Sequence, residues 1–178
     1  MNKYGIVNQA DYLQSPNYND RPTGTEVDLL VIHCISLPLG CYGNGFVDQY
    51  FQNTLDFSKN PFFGEIKNLK VSCHFLIDRL GGVTQYVSCL KRAWHAGNSC
   101  WRGKSNCNDF SLGIELEGTD SSSFTDAQYK NLTFLTKCIQ RNYPISDIVG
   151  HSDIARPIGR KKDPGFLFDW NRYREMIK

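Results

Sequence analysis

Two stretches of this chain end in histidine where an apolar run gives way to glycine, proline and charge. The first is Leu29-Leu30-Val31-Ile32-His33. The second lies within residues 147–165, DIVGHSDIARPIGRKKDPG, where His151 is followed on one loop by Lys161, Lys162, Asp163 and Pro164. Two imidazoles and one carboxylate can hold a tetrahedral zinc and leave its fourth position open, as a hydrolytic site requires. Water at that position is acidified toward neutral pH and becomes a nucleophile. No local His-x-x-x-His pair is present to bind a metal by itself. A single histidine at a strand end is more often a structural residue than a ligand, so the spacing leaves both readings open.

Hydrolysis also needs a general base and a group that holds developing negative charge. Glu115 and Glu117, in Gly113-Ile114-Glu115-Leu116-Glu117-Gly118, stand two apart and share one face of a strand. Burying an unpaired carboxylate is costly, so the simpler alternative has one or both reaching solvent. Lys161, two residues before Asp163, either leans over the open metal position or is a surface lysine of a basic run.

These groups need strands to carry them. Residues 27–35 form a continuous β-branched and leucine run, suited to a strand buried on both faces. Residues 111–117 and 145–151 read as two further strands. Residues 71–78 and 83–87 flank Arg79-Leu80-Gly81-Gly82, a hairpin signature. Apolar groups at 46, 47, 50, 51 and 55 follow a helical spacing. The clearest helix covers 125–143, with Thr125 and Gln128 as a capping box and Pro144 as its stop. Asp169 caps a last short helix. Residues 94–108 form a long Gly/Asn/Ser-rich loop, a type that usually serves function. The expected fold is α/β: a single domain with a central mixed β-sheet flanked by helices. Residues 1–26 read as an ordered arm or a loop over the surface, ahead of one domain at 27–178.

Composition narrows the class. The 178 residues suffice for one real core, and 40% hydrophobic with 21% charged residues describes a globular protein. A net charge of +2 gives no basic excess of the kind nucleic-acid binding calls for. No run approaches the roughly 20 apolar residues of a membrane span, and residues 1–10 lack a signal-peptide core. The seven cysteines contain no Cys-x-x-Cys pair and several sit in apolar runs, consistent with free thiols and a cytoplasmic location.

The segments VIHCISLP, NPFFGEI, VSCHFLI, KRAWHAG, CNDFSLGIELEG, FTDAQY and GHSDIARPIGRKKDPG, in this order from about residue 15 to 173, resemble the cytosolic AmpD family. These are zinc-dependent 1,6-anhydro-N-acetylmuramoyl-L-alanine amidases within the wider amidase_2 and peptidoglycan-recognition fold. The resemblance implies one Zn2+ per chain on His33, His151 and Asp163, with Glu115 as catalytic base and Lys161 as oxyanion partner. It implies cleavage of the amide between the lactyl group of (1,6-anhydro-)N-acetylmuramic acid and L-alanine, in peptidoglycan recycling. That reaction can lower the muropeptides that induce β-lactamase. The implied partner is a muropeptide with or without N-acetylglucosamine, without nucleic acid or membrane, and the working form is expected to be a monomer.

The same resemblance places His95 and Trp94 on a loop lining the sugar and peptide cleft, with Phe62 as a further apolar wall. His74 is expected behind the site or in the core. Two positions depart from the family pattern. Asn106 precedes CNDF, where many relatives carry arginine, and Lys70 replaces another common arginine. Lysine keeps the charge but loses the bidentate fork suited to a carboxylate. Lys70, Arg102 and Lys104 are the candidate grips for an acidic stem peptide. Cys34 stands where relatives have asparagine, either beside the metal or as a buried bystander. A non-catalytic muropeptide-binding module and an exported amidase are the competing readings. Retention of the ligands with Glu115 and Lys161 speaks against the first, and the lack of a visible leader against the second.

Overall fold

The apolar run near residue 30 is an interior strand with a packed layer on each face, which is why it carries no polar face over its first four residues. The computed structural model describes residues 1–178. Its elements are β1 (Asp11–Tyr12), β2 (Tyr18–Asn19), β3 (Leu29–Ile35), α1 (Phe46–Phe51), α2 (Phe63–Ile66), β4 (Phe75–Ile77), β5 (Val83–Gln85), β6 (Arg92–Ala93), β7 (Cys100–Trp101), β8 (Lys104–Ser105), a 3-10 turn (Cys107–Asp109), β9 (Ser111–Glu117), α3 (Asp126–Gln140), β10 (Asp147–Gly150), α4 (His151–Ile154) and α5 (Trp170–Ile177). Six strands make the main sheet in the order β1-β5-β4-β9-β3-β10. The run β4-β9-β3-β10 is parallel, β5 is antiparallel to β4, and β1 is parallel to β5. The sheet is mixed, as expected.

One face of the sheet is apolar except for the buried Gln85 at its β5 edge. Leu30, Ile32, Phe75, Ile77, Leu112, Ile114 and Leu116 pack there against Tyr129, Leu132, Leu135 and Ile139 of α3 and Tyr173 of α5. The capping box forms: Thr125 Oγ1 accepts the Gln128 N–H, and Gln128 Oε1 accepts the Thr125 N–H. The helix ends at Gln140 rather than 143. Asn142 and Tyr143 both donate to the Ile139 carbonyl, so the last turn tightens ahead of Pro144. No helix is long and apolar enough to cross a membrane.

The opposite face is divided. Leu76, Cys73 and Tyr86 pack with α1 and α2 in one apolar cluster, while Leu29, Val31 and Val149 pack with Phe110 and Ile154 in another. Between them β9 presents Ser111, Gly113, Glu115 and Glu117, so this face carries a polar seam down its middle. The N-terminal arm is stitched to the sheet edge. Val7 N–H donates to Gln85 Oε1, and the Arg21 guanidinium donates to the carbonyls of Asn108, Asp109 and Ser111. The long loop at 94–108 contains a small ladder, β7 with β8, and a bridge from Ser99 to Ala155.

Candidate metal centre and active-site cleft

Register brings the two histidine-terminated runs together. Gly150 of β10 lies beside Ile32, and His33 lies beside Glu115 of β9. The chemistry therefore gathers at the carboxyl ends of three adjacent parallel strands, where open α/β sheets bind ligands. His151 opens the single turn α4 rather than closing a strand. That corrects the expected boundary, and the turn carries the imidazole back over the strand end. Gly150 lets the next loop approach, because a Cβ there would stand 2.8 Å from Pro164 Cδ. The Ser152 N–H donates to the Asp163 carbonyl at 3.0 Å, which fixes the loop in that place.

The three ligand candidates converge. His33 Nδ1 is 3.0 Å from His151 Nδ1 and 3.2 Å from Asp163 Oδ2, and His151 Nδ1 is 3.0 Å from the same oxygen. His151 donates its Nε2–H to the Ala96 carbonyl at 3.1 Å, so its Nδ1 offers a lone pair. Burial, and then the neighbouring His151, lower the His33 imidazole to about 4, which leaves it neutral and able to ligate. Two ring nitrogens and a carboxylate oxygen gathered this closely are placed to share a cation. Tetrahedral zinc with bonds of about 2.0–2.2 Å would set its ligand atoms about 3.3–3.5 Å apart, within a few tenths of an ångström of these separations. The donor set fits a zinc ion.

The two glutamates separate sharply. Glu115 is 9% exposed and Glu117 6%, so neither reaches solvent as the simpler sequence reading allowed. Glu117 accepts the Gly43 N–H at 2.6 Å on Oε1 and the Arg79 N–H at 3.1 Å on Oε2. Glu115 Oε2 has no hydrogen-bond partner in the protein. Burial, followed by the charge of Asp163, pushes the Glu115 carboxyl well above the usual range, and Lys161 opposes the shift.

A cavity of about 560 Å³ opens over these groups and is lined by His33, Glu115, His151, Lys161 and Asp163, with Phe62, Trp94 and His95 on its walls. A smaller one of about 310 Å³ shares Trp94, His95 and Lys161 and adds Lys70. Asn106 lines neither cavity; it sits in the left-handed region at φ 60 ahead of the 3-10 turn. Arg102 and Lys104 are also away from the cleft, paired with Asp147 at 2.7 Å and Asp28 at 3.0 Å. The cations that sequence reasoning missed are Lys162, which lines the larger cavity, and Arg160. Arg160 lines both cavities while its Nη2 donates to the Ala96 and Asn98 carbonyls. Their place in the basic run at 160–162 was the available signal.

His95 lines both cavities, but its ring nitrogens face protein. Its Nδ1 is 2.9 Å from His33 Nε2 and its Nε2 is 3.2 Å from Ser111 Oγ, so its polar atoms are committed inside the protein. His74 does lie behind the site, accepting the Gly113 N–H on Nδ1 at 3.0 Å. Cys34 borders the larger cavity but is absent from the ligand cluster, and it packs partly against the α3 side of the sheet.

Comparison with known proteins agrees with this architecture. The family model described as Amidase_2, N-acetylmuramoyl-L-alanine amidase, matches residues 23–166. The 1,6-anhydro-N-acetylmuramyl-L-alanine amidase AmpD of Haemophilus influenzae is 48% identical over 177 residues, covering 98% of this chain and 95% of its own. AmpD of Escherichia coli K12 is 49% identical over 170 residues, covering 94% and 92%. The crystal structure of a selenomethionine AmpD derivative superposes with a TM-score of 0.96 at 45% identity, over 100% of this chain and 99% of that one. The amidase AmiD from E. coli, in complex with the substrate anhydro-N-acetylmuramic acid-L-Ala-D-gamma-Glu-L-Lys, gives 0.62 at 30% identity, over 88% of this chain and 60% of that one.

Proposed function

The chain belongs to the Amidase_2 family, among its AmpD members, and from its being an N-acetylmuramoyl-L-alanine amidase we propose the substrate, the metal and the work of each residue. The substrate is a 1,6-anhydromuramyl-peptide, with or without N-acetylglucosamine, taken from peptidoglycan turnover in the cytoplasm by a monomeric enzyme. Its removal lowers the muropeptides that induce β-lactamase. The amidase domain is assigned to residues 27–178, with 1–26 as its arm. The names of the AmpD relatives and the ligand in the AmiD complex support the substrate class.

The observation that carries the catalytic reading is an unpartnered buried carboxylate, Glu115, in one cavity with the three converging atoms of His33, His151 and Asp163. These three residues would hold one zinc ion, which supplies a Lewis acid and water acidified toward neutral pH. Glu115 takes the proton from the water that attacks the lactyl carbonyl. It returns that proton to the L-alanine nitrogen as the C–N bond breaks, giving a lactyl carboxylic acid and a free peptide amine; the acid then ionises and releases the second water proton to solvent. Its lack of any donor inside the protein, and its raised pKa, both favour a proton acceptor over a structural anion. Lys161 places an ammonium at the cavity edge, where negative charge develops on the carbonyl oxygen. Phe62 and Trp94 offer apolar walls to the sugar, and Lys70, Arg160 and Lys162 place positive charge where an acidic peptide would lie. Asn106 is left without a role in the cleft.

The test compares the purified protein on anhydromuramyl-peptide and on intact sacculi, with and without a chelator. Chelator-sensitive release of peptide from the small substrate is expected. Tight binding without cleavage would instead make the protein a muropeptide receptor.

A further inference from the structure

His33 meets the ligand cluster through Nδ1, and its other ring nitrogen faces protein. Nε2 lies 2.9 Å from His95 Nδ1; His95 Nε2 lies 3.2 Å from Ser111 Oγ; and Ser111 Oγ lies 2.6 Å from the Cys107 carbonyl oxygen. All four residues are buried. Two imidazoles joined through ring nitrogens do not decide between themselves which carries the shared proton. The far end of this chain of contacts decides it. A carbonyl oxygen only accepts, so the Ser111 hydroxyl proton is committed to Cys107. The Ser111 oxygen is then left to accept, which puts the His95 proton on Nε2 and leaves its Nδ1 bare. A bare Nδ1 accepts from His33, whose proton therefore sits on Nε2 and whose Nδ1 lone pair faces His151 and Asp163.

We propose that Ser111, acting through His95, is the positioning residue that fixes the ring tautomer of His33 and so prepares it as a metal ligand. His151 needs no such relay, because its Nε2 meets a backbone carbonyl directly. His33 is backed by a histidine, which can donate or accept, and the direction must come from the next residue along. Outer partners of this kind orient metal-binding histidines and raise their basicity.

The surroundings are built for the relay. Ser111, Gly113 and Glu115 occupy one face of β9, and a Cβ at Gly113 would stand 2.6 Å from His95 Nδ1 and 2.7 Å from its Cγ. The strand is cut away where the ring lies. Asn108 Oδ1 accepts the N–H of both His95 (3.0 Å) and Ala96 (2.8 Å), so one amide holds the loop that backs both histidine ligands.

NMR of protein labelled in its histidine rings reads which nitrogen carries the proton. With and without zinc, His95 is expected to be neutral and protonated on Nε2. In Ser111→Ala, the Nδ1-protonated form of His95 should appear, and zinc affinity by competition with a chromophoric chelator should fall about 10–100-fold. Ser111→Thr, which keeps the hydroxyl, should restore both. A wild-type His95 protonated on Nδ1 overturns the proposal whether or not the variants fold. So does a Ser111→Ala protein with His95 still wholly protonated on Nε2 and zinc affinity within about twofold of wild type. The proposal rests on His33 being a metal ligand; chelator-insensitive turnover would sink that reading, while the His95 spectrum tests the relay independently.

Discussion

Glu115 and Glu117 share a strand, a face, a residue type and nearly the same burial, yet their hydrogen-bonding surroundings are opposite. Glu117 closes the far end of the polar seam. Its two oxygens gather backbone N–H groups from Gly43 in the β3–α1 loop and Arg79 in the β4–β5 turn. Hydrogen bonds to a charged acceptor contribute about 1.5–3 kcal/mol each, so the carboxylate ties two loops to the sheet. Glu115 stands in the cavity with one oxygen unmatched by any donor. A charge buried without partners is destabilising, and such a group persists where reactivity requires it. Depth of burial does not distinguish a structural carboxylate from a reactive one. The number of donors that reach it does.

Three substitutions along this face test that contrast, and the largest effect belongs to Glu115. Glu115→Gln should lower turnover on the anhydro substrate by about 10²- to 10⁴-fold, with zinc content unchanged. Near-wild-type turnover would remove Glu115 as the base. Stability should move the other way. The folded-state pKa of Glu115 is raised, so the native state binds the proton more tightly than the unfolded chain. Its ionisation therefore subtracts stability as pH rises above the ordinary glutamate value of about 4.3. Metal-free Glu115→Gln should be more stable than metal-free wild type at neutral pH, and the difference should close in acid. Urea titrations at two pH values measure it. Glu117→Ala should cost about 2–4 kcal/mol of stability, by stranding the Gly43 and Arg79 N–H groups. Comparable losses of turnover in the two variants, at full zinc occupancy, would erase the distinction between the residues. Gly113→Ala should cost about 1–3 kcal/mol by overpacking against His95. It should also weaken zinc binding, which a chelator competition reads without reference to activity.

Much of the scaffold was legible in the residues. The parallel strands β3 and β9 follow from apolar runs, and the start of α3 follows from Thr125 and Gln128, because these signals are local. His33, His151 and Asp163 were legible as a group because two apolar runs ended in histidine, and the fold brings those three side chains within 3.2 Å of one another. Neighbours far apart in the chain were not legible. Nothing in the spacing of Glu115 and Glu117 reveals that N–H groups from residues 43 and 79 arrive at one and not the other. His95 borders the cavity, and nothing in the spacing reveals that its far nitrogen lies 3.2 Å from Ser111 Oγ, sixteen positions away. Arg102 and Lys104 looked available as grips because their partners Asp147 and Asp28 lie at the opposite ends of the strands from the site.

The parallel pairing of β10 with β3 has a consequence for the order in which the molecule is made. His33 and His151 are separated by 118 positions, so the first of the proposed ligands is synthesised long before the others. A nascent chain carries His33, His95, Ser111 and Glu115 for some time without the second imidazole or the carboxylate. A site assembled from such distant parts binds metal only as the parts come together, and pairings of this sequence separation form late. Capture of the zinc ion proposed above would thus wait for the last strand of the sheet to dock against the first long one. A partly made chain would hold no such metal centre before the walls of its cleft exist.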